Sequence, residues 1–280
     1  MAYNLWRFLE DAMSSPSFFR IAISTLAIVA LFCCMQAAAL TNASLKGGYS
    51  FLVNLRTANQ STNQFAMEGV LTFDGAGNVT GSYTSISATT SSSGSLGGTY
   101  SIKANGTGTL TFSSGSTAQY AITLDSTAGG IAHGFQMLQT NDTNNEIVSG
   151  TGVLQSASTQ TYSAASLKGN YALQYDPWTA LSTLAEDGGI AIFSFDGKGT
   201  VKVSETVVFD GSVQTGSGSF TYAVNADGTG TITPASKGPS FAFTLNAVSA
   251  AGLAGGYQFL DTNTSDGPGN LVITGSAAKQ

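Results

Sequence analysis

The chain has 280 residues, of which 42% are hydrophobic and only 9% charged, with a formal net charge of −6. That length and apolar content suffice for two packed domains and exclude a disordered chain. The scattered lysines form no basic stripe, so the electrostatic footprint of a nucleic-acid binder is missing. Soluble domains carry about 25% charged residues; here Ser, Thr, Asn and 34 Gly fill the deficit, which gives a neutral, hydroxyl-rich surface.

In chain order, the first feature is the uncharged run from Ile21 to Leu40, preceded by Arg20 and ending in Ala37, Ala38 and Ala39. This is the pattern of a secretory signal with a small-residue cleavage site, so residues 1–39 are expected to be a signal peptide and the remainder secreted, periplasmic or at the cell surface. The run is also long enough to span a bilayer, and an uncleaved N-terminal anchor would be the protein's one attachment to a membrane. Arg7, Glu10 and Asp11 make an odd leader, whereas a start at Met13 gives a compact one. Both cysteines, Cys33 and Cys34, fall inside the run, so the mature chain uses neither disulfides nor thiolate metal sites.

After residue 40 the sequence repeats. Ala43-Ser44-Leu45-Lys46-Gly47 returns as Ala165-Ser166-Leu167-Lys168-Gly169, Phe73-Asp74-Gly75 as Phe195-Asp196-Gly197, and Gly134-Phe135-Gln136 as Gly256-Tyr257-Gln258. Tyr100 with Asn105-Gly106-Thr107-Gly108-Thr109 returns as Tyr222 with Asp227-Gly228-Thr229-Gly230-Thr231, and all these matches keep the offset of 122 that separates Gly47 from Gly169. Ordered matches at constant spacing mark a duplication. The polar stretch from Gln155 to Ala164 is the seam, dividing a first domain, 40–160, from a second, 161–280.

Within each copy apolar residues alternate with polar ones, the period of half-buried strands. Tyr120, Ile122 and Leu124 do so in the first copy; Phe241, Phe243 and Leu245 do so in the second. Strands are predicted in the first copy near 47–54, 67–73, 78–87, 95–104, 108–113, 119–125, 130–139 and 146–154, separated by Gly-rich turns. An eight-strand meander satisfies its edges best by closing. The predicted fold is therefore all-β: two tandem eight-stranded antiparallel up-and-down barrels. A two-sheet sandwich is the runner-up. A single sixteen-strand outer-membrane barrel fits less well, since several strands are short for a bilayer and the chain ends without a terminal aromatic.

The repeated Leu45-Lys46-Gly47-Gly48-Tyr49 and Leu167-Lys168-Gly169-Asn170-Tyr171, each followed by an F-D-G-x-G and an (N/D)-G-T-G-T hairpin, resemble a family of uncharacterised exported bacterial proteins. The first strand also resembles that of lipocalins and other calycins, whose Gly-x-Trp motif sets an aromatic across the closed end of an eight-strand barrel. Tyr49 and Tyr171 match that tryptophan. The calycin Thr-Asp-Tyr motif, and an Arg on a late strand to cover the aromatic, are not found.

Chemistry-bearing residues are few. The sole histidine, His133, is a conceivable general base; alternation puts it on the face of Ile131, Phe135 and Met137, and Gly255 occupies its place in the second copy. Asp74-Gly75, Asp196-Gly197 and Asp227-Gly228 fit turn geometry, and the acidic stretch from Asp261 to Gly267 lacks the register of a calcium loop. No Ser-His-Asp set, phosphate loop or Cys/His cluster is present, so neither catalysis nor a cofactor is expected. Gln136 and Gln258 share one point of one strand, on the face opposite Phe135 and Tyr257. The connections from Asn54 to Ala66 and from Asp176 to Ala185 are among the longest, and long loops carry function; Arg56 and Trp178 lie there. The candidate ligand-binding residues are thus Tyr49, Arg56, His133, Gln136, Tyr171, Trp178 and Gln258. The expected function is non-catalytic binding of a small apolar ligand or a cell-surface component, with a structural envelope role as the alternative.

Overall fold

The computed structural model describes residues 39–57, 65–87, 90–142, 146–156, 160–178, 188–209, 211–235, 238–262 and 272–280. From Leu40 to Gln280 the chain is one compact unit. Ten strands lie in the first copy: β1 (Lys46–Thr57), β2 (Phe65–Asp74), β3 (Asn78–Ser87), β4 (Ser91–Ile102), β5 (Thr107–Ser114), β6 (Gln119–Leu124), β7 (Thr127–Ala128), β8 (Ile131–Ala132), β9 (Gly134–Gln139) and β10 (Glu146–Leu154). The second holds β11 (Lys168–Trp178), β12 (Gly188–Asp196), β13 (Thr200–Phe209), β14 (Ser212–Val224), β15 (Thr229–Pro234), β16 (Phe241–Asn246), β17 (Gly256–Asp261) and β18 (Val272–Lys279). Each copy closes into its own antiparallel eight-strand barrel, β10 returning to β1 and β18 to β11. Two closures replace both the sandwich and the single large barrel.

The predicted strand over 130–139 is broken in two. Ile131 and Ala132 leave the barrel to pair with β7, and the ladder resumes at Gly134. Alternation therefore does not carry through position 133: His133 is exposed while Phe135 is buried.

One end of each barrel is sealed in the same way. A single 3-10 turn, Asn42–Ser44 or Ala164–Ser166, leads into the first strand through Gly47 or Gly169, whose φ of 108° and 103° a side chain would strain. The turn's carbonyls are covered by a tyrosine from the fourth strand: Tyr100 Oη donates to Leu45 O at 2.8 Å, and Tyr222 Oη to Leu167 O at 3.0 Å. Tyr49 Oη donates to Ala132 O at 2.8 Å, and Tyr171 Oη to Ala254 O at 2.8 Å. Phe73 and Phe195 lie edge-on beneath these tyrosines, 5.6 Å from Tyr49 and 5.5 Å from Tyr171. Each such buried ring contributes about 1.5–3 kcal/mol through area removed from water.

The hairpins explain the Asp-Gly repeats. Asp74 Oδ1 accepts from the backbone N–H groups of Ala76, Gly77 and Asn78, and Oδ2 from the Asn78 amide. These hydrogen bonds, that of the Asn78 side chain first, hold the carboxyl down at about 2. Asn105 Oδ1 caps Thr107 N in the first copy as Asp227 Oδ1 caps Thr229 N in the second, so the change between the acid and its amide leaves the turn intact.

The barrels pack side against side. On β2 the residues facing out of the barrel, Ala66, Glu68 and Val70, are all buried, and with Ile86 of β3 they meet barrel 2. Barrel 2 presents Ala242 and Thr244 of β16, Leu260 of β17 and Val272 of β18. Ala66, Ile86, Ala242, Leu260 and Val272 form a separate apolar cluster, and beside it the Thr244 hydroxyl donates to the carboxyl of Glu68. Burial in this joint pushes the Glu68 carboxyl up to about 8, although the Thr244 hydrogen bond works against it. The seam joins in: Gln155 is buried, with its amide donating to Asp227 O at 3.0 Å, and Tyr162 is buried in barrel 2's core.

Candidate functional site

Strand register builds two facing rows of side chains. On barrel 1 Glu68, Leu52, Thr151 and Gln136 stand opposite one another across β2, β1, β10 and β9. On barrel 2 Thr244, Gln258, Ser276 and Gln174 do so across β16, β17, β18 and β11. All face outward, because each row steps straight across its ladder and residues opposite one another share a face. The rows touch at Glu68 with Thr244, and again where Gln258 Nε2 donates to Thr151 Oγ1 at 2.9 Å. Beyond that contact they diverge and leave a cleft of about 640 Å³.

The cleft lining is neutral and rich in hydrogen-bonding groups. Four carboxamides (Asn54, Gln136, Gln174, Gln258) and four hydroxyls (Ser149, Thr151, Thr274, Ser276) line it, with no charged residue among them. Gln258 is buried, and its Oε1 has no hydrogen-bond partner. A buried acceptor left unpaired costs about 1–3 kcal/mol, so its retention needs a reason. Gln136, its mate in the first copy, is exposed at the far side of the same cleft. The two glutamines that the sequence singled out as equivalent are thereby brought to one site from two barrels.

A second cavity of about 510 Å³ opens at the end of barrel 1 opposite Tyr49. Leu55, Phe65, Met67, Tyr83, Tyr120 and Val148 form its inner wall, and Asn141, Asp142 and Glu146 stand at its rim. It is the barrel mouth at which β1 ends and β2 begins. Residues 58–64 and 179–187 of the two long connections lie outside the described residues.

The remaining candidates separate. Tyr49 and Tyr171 are wholly buried ring plugs; burial drives both hydroxyls up, Tyr171 to about 12, and neither lines a described cavity. His133 Nδ1 is 3.2 Å from Ser126 Oγ on the surface, in place of the inward position that alternation suggested. Arg56 and Trp178 sit near the ends of β1 and β11, with side chains outside the described residues. Sequence reading missed Glu68, Thr151 and Ser276, since nothing in the chain order shows which outward face meets the other barrel. It also missed Lys279 on the last strand, whose Nζ lies 6.0 Å from the centre of the Tyr171 ring where an Arg was sought.

No protein-family model matches the sequence, and no curated protein matches it. Among solved structures, the chain is similar to kievitone hydratase from Nectria haematococca at 9% identity and a TM-score of 0.27, covering 85% of this chain and 92% of that one. A DUF3598-family protein of unknown function from Nostoc punctiforme shows 11% identity and a TM-score of 0.26, covering 85% of this chain and 98% of that one. An AttH-like protein from Nitrosomonas europaea shows 9% identity and a TM-score of 0.27, over 84% and 92%. Likenesses this distant transfer no activity.

Proposed function

We propose that the protein is an exported, non-catalytic binding protein whose inter-barrel cleft takes a neutral, polyhydroxylated ligand of saccharide type. The neutral lining of four carboxamides and four hydroxyls carries this reading. Carboxamides and hydroxyls offer both donors and acceptors to a ligand's hydroxyl groups, with no charge to favour an ion. The export leader and the hydroxyl-rich surface agree with a ligand met outside the cytoplasm.

Titration of residues 40–280 with neutral oligosaccharides, such as malto-, cello- and chito-oligomers, followed by ligand-detected NMR and calorimetry, tests the proposal. Saturable binding that Gln136→Ala and Gln174→Ala each weaken at least tenfold, with the fold unchanged, is the expected result. No response to any neutral saccharide, together with binding of fatty acids or hydrophobic dyes that Met67→Asp abolishes, would move the site to the mouth of barrel 1. That cavity's apolar inner wall favours the apolar-ligand reading.

A further inference from the structure

The two barrels are copies, yet they dock through different faces. Barrel 1 uses the outer side of β1, β2 and β3, with Thr151 of β10 at the border; barrel 2 uses the outer side of β16, β17 and β18. Each barrel must therefore also carry a version of the face that its sister uses, and register locates both. The docked pair Ala66 and Ile86 has its counterpart in Gly188 and Val208, and the docked pair Leu260 and Thr274 in Leu138 and Ser149.

These counterpart faces carry exposed aliphatic side chains. Ile190 stands where barrel 1 has Glu68 and is 62% exposed, whereas Glu68 is 1% exposed. Leu138 is 49% exposed against 0% for its mate Leu260, and Ile147 is 60% exposed against 2% for Val272. With Ile192 and Val208 they make five of the six large aliphatic side chains exposed among the described residues; the sixth, Val213, pairs with Val208 across β13 and β14. Scattered surface aliphatics need no explanation. Here five fall at the positions whose mates are buried in the intramolecular joint.

We infer that barrel 2 docks through its β12–β13 face onto the β9–β10 face of barrel 1 in a second copy of this chain, repeating the internal joint head to tail. Leu138, Ile147 and Ile190 stay exposed with the internal joint formed, so both joints form at once, the second bordering the inter-barrel cleft at Ser149 of β10. Ile190 replaces Glu68 in it, so no carboxyl has to leave water. The interface is heterologous, with one face of each kind per chain, and association is accordingly open to growth beyond a dimer unless a ring closes.

Sedimentation velocity on residues 40–280 over a range from about 1 µM to 500 µM reads this out. Average mass rising past that of a dimer with concentration is expected, and Ile190→Glu and Leu138→Glu should each shift the midpoint at least tenfold, with circular dichroism unchanged. Each variant retains one intact face, and the two faces are complementary, so mixing them should yield one-to-one dimers and nothing larger. A monomer at every concentration, a closed dimer indifferent to Leu138→Glu, or a mixture of the two variants that stays monomeric would each overturn the inference.

Discussion

Barrel 1 and barrel 2 share every device that seals their closed ends and differ in what lies on their outer walls. The tyrosine plugs, their carbonyl partners and the edge-on phenylalanines repeat almost atom for atom. On the outer wall, Glu68 in the docked joint faces Ile190 on an open surface, and buried Leu260 faces exposed Leu138. The interior is thus fixed by packing that either copy needs alone, whereas the outer wall is free to diverge once each face meets a different neighbour. Duplication supplies two faces of each kind, and one chain covers only one of each.

The largest expected effect separates Glu68 from Ile190. The folded chain keeps the Glu68 proton up to about pH 8, while the unfolded chain releases it near 4.5, so this group's contribution to stability is full below pH 4.5 and is lost as pH rises towards 8. At about 1.36 kcal/mol per unit this is a loss on the order of a few kcal/mol. Urea unfolding at pH 4.5, 6 and 8 should show the decline, and Glu68→Gln should flatten it. Ile190→Glu, at the matching open position, should add no such slope at a concentration where the chain is monomeric; an equal slope from that variant would break the contrast.

Truncation of the mated leucines comes next. Leu260→Ala removes a side chain from the apolar joint and should cost about 3 kcal/mol, while Leu138→Ala should stay within about 0.5 kcal/mol for the monomer. Smaller still, and equal between barrels, are the plugs. Tyr49→Phe and Tyr171→Phe each strand a buried carbonyl and should each cost about 1–2 kcal/mol by thermal or chemical unfolding. The smallest effect has the opposite sign. Tyr257 occupies the place of Phe135, and its buried hydroxyl has no partner, so Tyr257→Phe should stabilise the chain by about 1 kcal/mol.

Alternation and turn chemistry made the barrels legible in the sequence, because Phe73, Leu110 or Phe243 must face inward whatever the barrel packs against. The constant offset made the duplication legible, and with it the equivalence of Gln136 and Gln258. The break at His133 was hidden, since the residues on either side still read as one strand. The cleft was hidden for a different reason. Which outer face is covered depends on the neighbour, and here the covered face holds Glu68 and Thr244 while the open one holds Ile190 and Ile192, the reverse of what hydropathy suggests. Only the three-dimensional register shows that Gln258 reaches Thr151 of the other barrel.

Thiol reactivity tests most directly the claim that one face of each kind is covered and its twin open. With Cys33 and Cys34 replaced by serine, no cysteine remains, and Leu138→Cys and Leu260→Cys place single thiols at mated positions. At a concentration where sedimentation shows a monomer, Leu138→Cys should react with a soluble disulfide reagent nearly as fast as a free thiol. Leu260→Cys should react at least a hundredfold more slowly, only through opening of the joint. Equal rates at the two positions would show that the barrels do not dock as described.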